Sequence, residues 1–328
     1  MSQLEIEEIE EATPARVNAV HRTQISVLTV DGVVLLALDP GMSTAEVTVG
    51  DWVICNPTEA RMIRRLDRQS SLQRGSDYVH GERQLIAANI DTIFITTSCN
   101  DDFNVARLER YLALAHDAEI TPVILLTKSD KAEEPESYVA QAQALGQDLA
   151  VVALDSREVT ETGLLDEWCG VGQTVALAGS SGVGKTTITN ALTGEAGATQ
   201  GIREDDARGR HTTTRRSLHR LPSGGWLIDT PGMRGLGVAD VVAGINATFP
   251  EISLIEENCK FRDCKHEGEP NCAVQAAVAA GDVDPERLKR FQKLIREDDH
   301  ATMTLVQARE KSRKTGKMIK AAMKRKKR

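Results

Sequence analysis

A glycine-rich segment in the middle of the chain has the residue types and spacing of a phosphate-binding loop. It lies between the apolar run TVALA and the helix-like run TTITNAL. It matches the pattern GxxxxGK[ST] as Gly179-Ser180-Ser181-Gly182-Val183-Gly184-Lys185-Thr186. Glycines let successive N–H groups face phosphate oxygens, and the start of the next helix adds a positive dipole end. We expect Lys185 to bridge the β- and γ-phosphates, Thr186 to ligate Mg²⁺ and Thr187 to contact the α-phosphate.

A second short motif, Asp229-Thr230-Pro231-Gly232, follows the apolar run WLI. Asp and Gly both favour turns, so a DxxG pattern alone is weak. In a chain that also carries a phosphate-binding loop, an acid at the end of a strand is typical of a residue that orients Mg²⁺. We therefore expect Asp229 to act on the metal and the Gly232 N–H to reach the γ-phosphate.

A third motif predicts which base is bound. Thr127-Lys128-Ser129-Asp130 follows the apolar run PVILL. The Asp130 carboxylate can accept hydrogen bonds from the ring N–H and the amino group of guanine, whereas adenine offers no matching pair of donors. Lys128 can pack its stem along the base. A surface turn is the plain alternative, but a phosphate-binding loop in the same domain favours a guanine site.

The order of these motifs is rotated relative to ordinary GTPases, which carry the phosphate-binding loop first and the base motif last. Adjacent strands can still form one pocket if the old termini are joined and new ones opened elsewhere. The segment Ala153-Leu154-Asp155 would then meet guanine O6. Because DTPG now leads into the C-terminal part of the chain, we hypothesise that loss of the γ-phosphate repositions that part.

Three cysteines and one histidine near the C-terminus have the spacing of a metal site. They are Cys259, Cys264, His266 and Cys272. Three thiolates and one imidazole complete a tetrahedral zinc site with no position left for water, which predicts a structural rather than a catalytic metal. The remaining cysteines, at positions 55, 99 and 169, are scattered among apolar or loop residues, and we interpret them as buried side chains.

Two different element patterns must position these motifs. Residues 15 to 68 alternate β-rich runs with turns, which predicts a small antiparallel barrel; the spacing does not distinguish an OB-fold from an SH3-like barrel. After about residue 85, strands alternate with helical segments, which predicts a parallel sheet covered on both faces. The expected strands are Asp91–Thr97, Pro122–Leu126, Ala150–Leu154, Thr174–Ala178 and Trp226–Ile228, with helices at Val105–Ala118 and Pro135–Leu145.

Beyond residue 245 the chain becomes helical and polar, and Pro285 suits the first turn of a charged helix. We therefore predict several domains in the 328 residues. They are an acidic leader (1–14), an OB-fold-like barrel (15–70), a circularly permuted GTPase domain (71–240), a zinc-binding, mostly α-helical module (241–310) and a basic tail (311–328).

Charge is distributed unevenly. The net charge is −8, yet residues 311–328 hold ten Lys or Arg and no acid, so the rest of the chain carries −18. A cationic tail favours a polyanionic partner such as nucleic acid, although a solvated tail has the same composition. The acidic start differs from a secretory signal and no apolar run is long enough to span a bilayer, so we expect a cytoplasmic protein without a membrane partner.

The sequence resembles the circularly permuted, ribosome small-subunit-dependent GTPases of the RsgA type, over residues from about 15 to 310. The resemblance rests on four motifs in this order: TKSD, GSSGVGKTT, GRHTTT (209–214) and DTPG. The resemblance implies an OB-fold barrel, a GTPase centre that binds GTP and GDP, one structural Zn²⁺ and a role in late maturation of the small ribosomal subunit. It also implies contact with the rRNA of that subunit.

The resemblance also suggests the catalytic residues. Thr213, in the expected switch segment, is a candidate ligand of Mg²⁺ or the γ-phosphate. Met233 stands where many GTPases keep a glutamine that orients water, and its apolar side chain cannot do so. His211 is the candidate for orienting water, and Lys185 is the other expected catalytic residue. The sequence does not distinguish a catalytic His211 from a histidine that contacts RNA. Gly235 stands where the family usually has a larger residue, which leaves the rigidity of the switch open.

Three functions are compatible with these sequence features. The main hypothesis is an assembly GTPase, acting as a monomer, that binds rRNA through barrel, zinc module and tail. The alternative is a nucleotide-gated RNA-binding module whose hydrolysis is incidental. A P-loop ATPase is the third, and Asp130 opposes it.

Overall fold

The computed structural model describes residues 12–38, 41–75, 83–155, 163–194, 216–229 and 238–302. The chain divides into two compact units. The first consists of residues 1–73 and 85–235, and the second of residues 74–84 and 236–328.

The first five strands form a closed barrel in the order β1-β2-β3-β5-β4. Inward-facing apolar side chains such as Val17, Ile25 and Met62 are buried and fill the interior. Strands β3 and β5 pair in parallel and the other neighbours are antiparallel, which is the Greek-key arrangement of an OB-fold and confirms that prediction. The strands are β1 (Thr13–Val20), β2 (Gln24–Thr29), β3 (Gly32–Ala37), β4 (Trp52–Asn56) and β5 (Arg61–Arg65).

A larger sheet follows the barrel. Within the described residues it has six strands in the order β10-β9-β8-β11-β13-β12, and all are parallel except the edge strand β12. A two-stranded sheet of β6 (Ser71–Gly75) and β7 (Arg83–Ala88) lies between barrel and large sheet in sequence. The strands of the large sheet are β8 (Thr92–Ser98), β9 (Thr121–Thr127), β10 (Ala150–Leu154), β11 (Thr174–Gly179), β12 (Ser217–Arg220) and β13 (Trp226–Asp229).

The five expected strands all form, within one residue of the predicted bounds at each end. Every residue of β8 and β11 is buried, because helices cover both faces of a parallel sheet. The sequence did not predict β12, a short strand with only one buried residue, Leu218. Its polar composition resembles a turn, and only its antiparallel pairing with β13 makes it a strand.

Three helices pack on the large sheet: α1 (Val105–Asp117), α2 (Pro135–Gln143) and α3 (Lys185–Thr193). Asn104 caps α1 by accepting a hydrogen bond from the Arg107 N–H, and Pro135 begins α2. On α3, Ile188 and Leu192 are buried against Leu177 of β11. This packing fixes the first turn of α3 at the end of β11.

A buried arginine joins the barrel to the amino-terminal end of the large sheet. Arg16 of β1 is 4% exposed, and its guanidinium donates to the Thr174 hydroxyl (2.8 Å) and to the Asn89 carbonyl (3.1 Å). It also stacks on Trp52 of the barrel and Trp226 of the sheet, with its Cζ atom 5.4 and 5.7 Å from the ring centroids. Burial lowers the pKa of Arg16 to about 10. The hydrogen bonds and the two ring contacts compensate the free-energy cost of burying the charged guanidinium.

Close backbone approach strengthens this junction. Gly50 lies before β4 with φ of 91°, and a Cβ atom there would lie 2.1 Å from the Ala88 carbonyl oxygen. The Leu218 N–H of β12 donates to the Asn18 side chain of β1 (3.2 Å). Barrel and sheet therefore form one packed body, which the sequence did not predict.

The second unit contains four described helices: α4 (Val242–Thr248), α5 (Pro250–Glu256), α6 (Ala273–Ala280) and α7 (Pro285–Ala301). Its core includes Ile245, Ile252 and two phenylalanines, Phe249 and Phe291, whose rings meet edge to face at 5.5 Å. Asp284 caps α7 by accepting from the N–H groups of its first turn. Among the described residues, no helix has the length and apolar character needed to cross a bilayer.

Candidate GTP site and Cys/His cluster

The phosphate-binding loop connects β11 to α3 as the sequence predicted. Gly179, Gly182 and Gly184 all have positive φ, which lets the loop curl without steric conflict. At Gly179 the requirement is also spatial, since a Cβ atom would lie 2.1 Å from the Thr96 carbonyl oxygen of β8. The loop is therefore held tightly against the centre of the sheet.

Lys185, the first residue of α3, lies across this loop. Its ammonium donates to the carbonyl oxygens of Gly179 (2.8 Å) and Ser180. The positive charge therefore lies at the phosphate-binding loop, where the N–H groups of the first turn of α3, which have no partner within the helix, also point. Such a concentration of donors suits the oxygens of a polyphosphate.

The base motif is bonded directly to the phosphate-binding loop. The Thr127 hydroxyl donates to the Val183 carbonyl (2.6 Å) and lies 3.2 Å from the Thr97 carbonyl oxygen. The Lys128 ammonium donates to the Gly182 carbonyl (2.9 Å). Two motifs more than fifty residues apart are therefore parts of one site, and the spacing between them is fixed by hydrogen bonds.

Asp130 lies in a one-turn 3₁₀ helix, Ser129–Lys131, directly after this contact. Lys128 has φ of 59°, and this left-handed residue turns the chain out of β9. Asp130 is exposed on the same edge of the sheet. The next strand, β10, runs parallel to β9 and ends at Leu154, so the buried Asp155 follows at the same edge. This is the placement that the rotated motif order predicts for a guanine site.

Asp229 ends β13 on the other side of β11. Burial raises the pKa of its carboxyl group, whereas the nearby charges of His219 and Lys185 act in the opposite direction. Asp229 and Lys185 therefore share one electrostatic environment. Thr186 is exposed and Thr187 is half-buried in the first turn of α3. The Thr186 hydroxyl and the Asp229 carboxylate are hard oxygen donors, which fit Mg²⁺.

Several predicted site residues lie outside the described residues. They are His211, Thr213 and the rest of 209–214, together with Gly232, Met233 and Gly235. The predictions for these positions stay predictions.

The four residues of the expected metal site come together in the second unit. The ligand atoms of Cys259, Cys264, His266 and Cys272 all lie within 4.8 Å of one another. The Cys259 and Cys272 sulfurs are 3.9 Å apart, and the His266 Nδ1 atom is 3.7 and 3.4 Å from them. Tetrahedral zinc with bonds of about 2.3 Å to sulfur and about 2.0 Å to nitrogen has S···S and S···N edges of about 3.8 and 3.5 Å. The cluster fits such an ion.

The surroundings of His266 suit a metal ligand. Its Nε2 atom lies 3.4 Å from a Glu256 carboxylate oxygen, an arrangement that orients the ring with Nδ1 facing the thiols. The His266 carbonyl accepts hydrogen bonds from the side chains of Gln275 (2.5 Å) and Gln292 (2.8 Å). Cys272 caps α6, where the Gln275 N–H points at its sulfur (3.4 Å). Loop and helices are thus organised around the cluster.

The thiols of Cys264 and Cys259 have pKa values shifted in opposite directions. Burial raises the pKa of Cys264 to about 12, and the neighbouring Cys272 and Cys259 contribute in the same direction. Burial also acts to raise the pKa of Cys259, but hydrogen bonds from the backbone of Val274 and Ala273 and from the neighbouring Cys272 and Cys264 thiols outweigh it, and the net shift is downward. A bound cation would favour the thiolate form of each of these cysteines.

Sequence reasoning missed one contact within the candidate GTP site and one at the junction between barrel and sheet. The interlock of Thr127 with Val183 joins residues 56 positions apart, and the contact of Arg16 with Thr174 joins residues 158 positions apart. The threonine at the start of TKSD was the only sequence feature that could have suggested the Thr127–Val183 hydrogen bond. No local pattern distinguishes Arg16 from a solvated arginine.

The fold and the placement of the motifs define a P-loop GTPase in which the base motif precedes the phosphate-binding loop. The model of the RsgA GTPase family matches residues 65–239, and a 50S ribosome-binding GTPase model matches residues 174–319. The second match begins at β11, so TKSD lies upstream of it, as a rotated order requires. The chain belongs to the RsgA GTPase family, and it is a GTP hydrolase.

Similar proteins include two curated relatives. "Small ribosomal subunit biogenesis GTPase RsgA" of Mesorhizobium japonicum is 55% identical over 295 residues, which cover 88% of this chain and 84% of the relative. "Small ribosomal subunit biogenesis GTPase RsgA 2" of Vibrio parahaemolyticus is 44% identical over 322 residues, 98% of this chain and 89% of the relative.

Two solved structures share the fold. YjeQ from Thermotoga maritima has a TM-score of 0.66 at 23% identity, with 87% of this chain and 98% of that chain covered. YloQ, described as a circularly permuted GTPase, has a TM-score of 0.62 at 23% identity, with 88% and 95% covered.

Proposed function

We propose that this chain hydrolyses GTP during late maturation of the small ribosomal subunit, and that the subunit stimulates the reaction. The observation that carries the site is the bonding of Thr127 and Lys128 to the carbonyls of the phosphate-binding loop. It supports a single pocket for base and phosphates. The small ribosomal subunit is proposed as the partner because two relatives, 55% and 44% identical to this chain, are named small ribosomal subunit biogenesis GTPases.

We assign roles within the pocket from charge and donor type. Asp130 would accept from the guanine ring N–H and amino group, and Lys128 would lie along the base. Lys185 would bridge the β- and γ-phosphates, and the N–H groups of 179–187 would hold their remaining oxygens. Thr186 and Asp229 would hold Mg²⁺, which supplies neutralising charge at the phosphates when bound.

The remaining catalytic roles fall in the segment 209–214 and at Gly232. Thr213 would add an oxygen ligand, the Gly232 N–H would meet the γ-phosphate, and His211 would orient the attacking water. Turnover of a His211→Ala chain with saturating subunits tests the last role. We expect a fall of about 100-fold, the size typical of a lost general acid–base or water-orienting group. Wild-type turnover would refute it.

The Cys/His cluster would hold one structural Zn²⁺. Its four protein ligands leave no coordination position for a substrate, so the metal would stabilise the second unit rather than take part in hydrolysis. Together with the barrel and the basic tail, this unit would bind rRNA. We infer a cytoplasmic monomer that exchanges GTP and GDP.

The decisive experiment is steady-state GTP hydrolysis at fixed salt with small subunits, large subunits or no particle. Strong stimulation by small subunits alone is the expected result. Equal rates in all three conditions would favour the alternative function, a nucleotide-gated RNA-binding module whose hydrolysis is incidental. Hydrolysis of ATP at the GTP rate would instead favour an ATPase, and the exposed Asp130 carboxylate argues against that outcome.

A further inference from the structure

The edge strand β12 places two polar side chains beside Asp229. The register of the strands sets Ser217 directly opposite Asp229, and His219 opposite Leu227. Residues that lie opposite each other on antiparallel strands point to the same face of the sheet, with Cβ atoms about 5 Å apart. Ser217 is therefore the cross-strand neighbour of Asp229, and His219 is its diagonal neighbour.

These side chains lie on the face of the sheet that α3 covers. Leu227 packs with Ile188 and Leu192 of α3, the helix that begins at Lys185. Because side chains alternate along a strand, Asp229 lies on the same face as Leu227, two residues further along β13. The two side chains of β12 are therefore on the side of the sheet where the phosphates and Mg²⁺ of a bound nucleotide are expected.

Ser217 and His219 are bonded to each other. The Ser217 Oγ atom lies 2.8 Å from the His219 Nε2 atom, and both side chains are half-buried. When Nε2–H donates in this pair, the serine proton is left to donate across the strands to a carboxylate. His219 also acts on Asp229 through the charge of its protonated ring. Burial raises the pKa of the Asp229 carboxyl, and His219 opposes this shift more strongly than Lys185 does.

Hydrogen bonds at two points hold β12 in place, although it is an edge strand. The Arg216 guanidinium donates to the Leu85 carbonyl (2.8 Å), and the Leu218 N–H donates to the Asn18 side chain (3.2 Å). Leu218 itself is buried. The side chains that face Asp229 are thus presented by a strand fixed to both sheet and barrel, so less entropy is lost in ordering them when a ligand binds.

We propose that Ser217 and His219 are positioning residues for Asp229, and that this pair holds its carboxylate where it can act on the Mg²⁺ of a bound nucleotide. Carboxylates that serve metals are oriented by hydrogen-bonded partners, and loss of such a partner typically costs about 10–100-fold in metal affinity. Neither residue belongs to a motif that predicted the site, because only the pairing with β13 reveals β12. The inference rests on the proposed function only in taking Asp229 as the residue that acts on Mg²⁺.

The test is the Mg²⁺ dependence of nucleotide binding by the full chain. Binding of a fluorescent, non-hydrolysable GTP analogue is measured over a range of free Mg²⁺ and again in EDTA. In S217A and H219F the Mg²⁺ concentration that gives half of the maximal gain in affinity should rise about tenfold or more, whereas affinity in EDTA should keep the wild-type value. The double variant should shift no further than either single variant, since the two side chains act as one unit.

Conservative variants separate the hydrogen bonds of the pair from the space that it fills. S217T keeps the hydroxyl and H219Q keeps an N–H donor, so both should recover much of the wild-type Mg²⁺ dependence. The matched control is R220Q, at an exposed position of the same strand, and it should change neither measurement.

Two results would overturn the proposal. One is an unshifted Mg²⁺ dependence in S217A and H219F. The other is an equal loss of affinity in EDTA, which would make β12 a purely structural strand. D229N tests the proposed function separately: if it keeps the wild-type Mg²⁺ dependence, the role assigned to Asp229 there is wrong. A shift in D229N without one in the β12 variants would overturn only the positioning pair.

Discussion

At the scale of single residues, two glycines of the same loop are under different constraints. Both Gly179 and Gly182 have positive φ, but a Cβ atom at Gly179 would collide with the Thr96 carbonyl oxygen, whereas nothing lies within 4 Å of one at Gly182. The first glycine is required by the fold and the second only by the curl of the loop.

Alanine substitutions should separate these two constraints. Gly179→Ala must displace β11 from β8, and we expect it to lower the free energy of unfolding by about 4 kcal/mol or more. Gly182→Ala introduces backbone strain of about 1 kcal/mol. Thermal unfolding of the two chains measures the difference, and equal melting temperatures would contradict the argument.

The Thr127 hydroxyl joins the TKSD motif to the phosphate-binding loop. In Thr127→Val the Val183 carbonyl loses its buried donor, at a cost of about 1–3 kcal/mol, while the volume of the side chain is kept. We expect GDP affinity to fall by about tenfold or more. In Thr127→Ser the hydroxyl remains and affinity should stay close to the wild-type value; calorimetric titration of all three chains provides the comparison.

At the scale of elements, Arg16 connects two sheets that the sequence presents as separate domains. Arg16→Met leaves the Thr174 hydroxyl and the Asn89 carbonyl without their buried donor, so we expect a loss of about 3 kcal/mol in stability. Arg22→Met, at an exposed position of the same barrel, is the control and should cost less than about 0.5 kcal/mol. Chemical denaturation of both chains tests this, and similar losses would mean that the junction does not depend on Arg16.

In the second unit, the Cys/His cluster is expected to hold the loop and helices together, as Arg16 holds barrel and sheet together in the first. If zinc fills it, chelation should melt α6, because Cys272 caps that helix and would lose its fixed position. We expect reduced helicity in circular dichroism and the release of one Zn²⁺ per chain. A Cys264→Ser chain, which lacks one ligand, should already show the reduced helicity and respond little to the chelator. Unchanged helicity of the wild type after metal loss would contradict a structural role.

At the scale of the whole molecule, sequence and structure agree wherever a local pattern carries the information. The five parallel strands follow from apolar runs, and the phosphate-binding loop follows from its glycines, because these depend on neighbours in sequence. The edge strand β12, the Thr127 interlock and the Arg16 junction depend on partners brought near by folding. Hydrogen bonds between residues 56 and 158 positions apart leave no periodic trace in the chain.

Because of the Arg16 junction, we expect the barrel and the large sheet of the first unit to unfold cooperatively. Because Arg16 contacts the first residues of β11 and β13, and these strands end at the phosphate-binding loop and Asp229, nucleotide binding should stabilise the barrel as well as the sheet. At a GDP concentration of about 100 times Kd, global opening becomes less favourable by about 2.7 kcal/mol.

Hydrogen exchange with and without GDP can detect this coupling. We expect the slowest amides of β1 and β4 to gain about as much protection as those of β8 and β11, since all of them exchange by opening of the same body. Amides of α6 and α7, in the other compact unit, provide the internal control and should gain less. A barrel whose protection does not respond to GDP would show that it opens independently, and Arg16 would then be a local contact without a role in cooperativity.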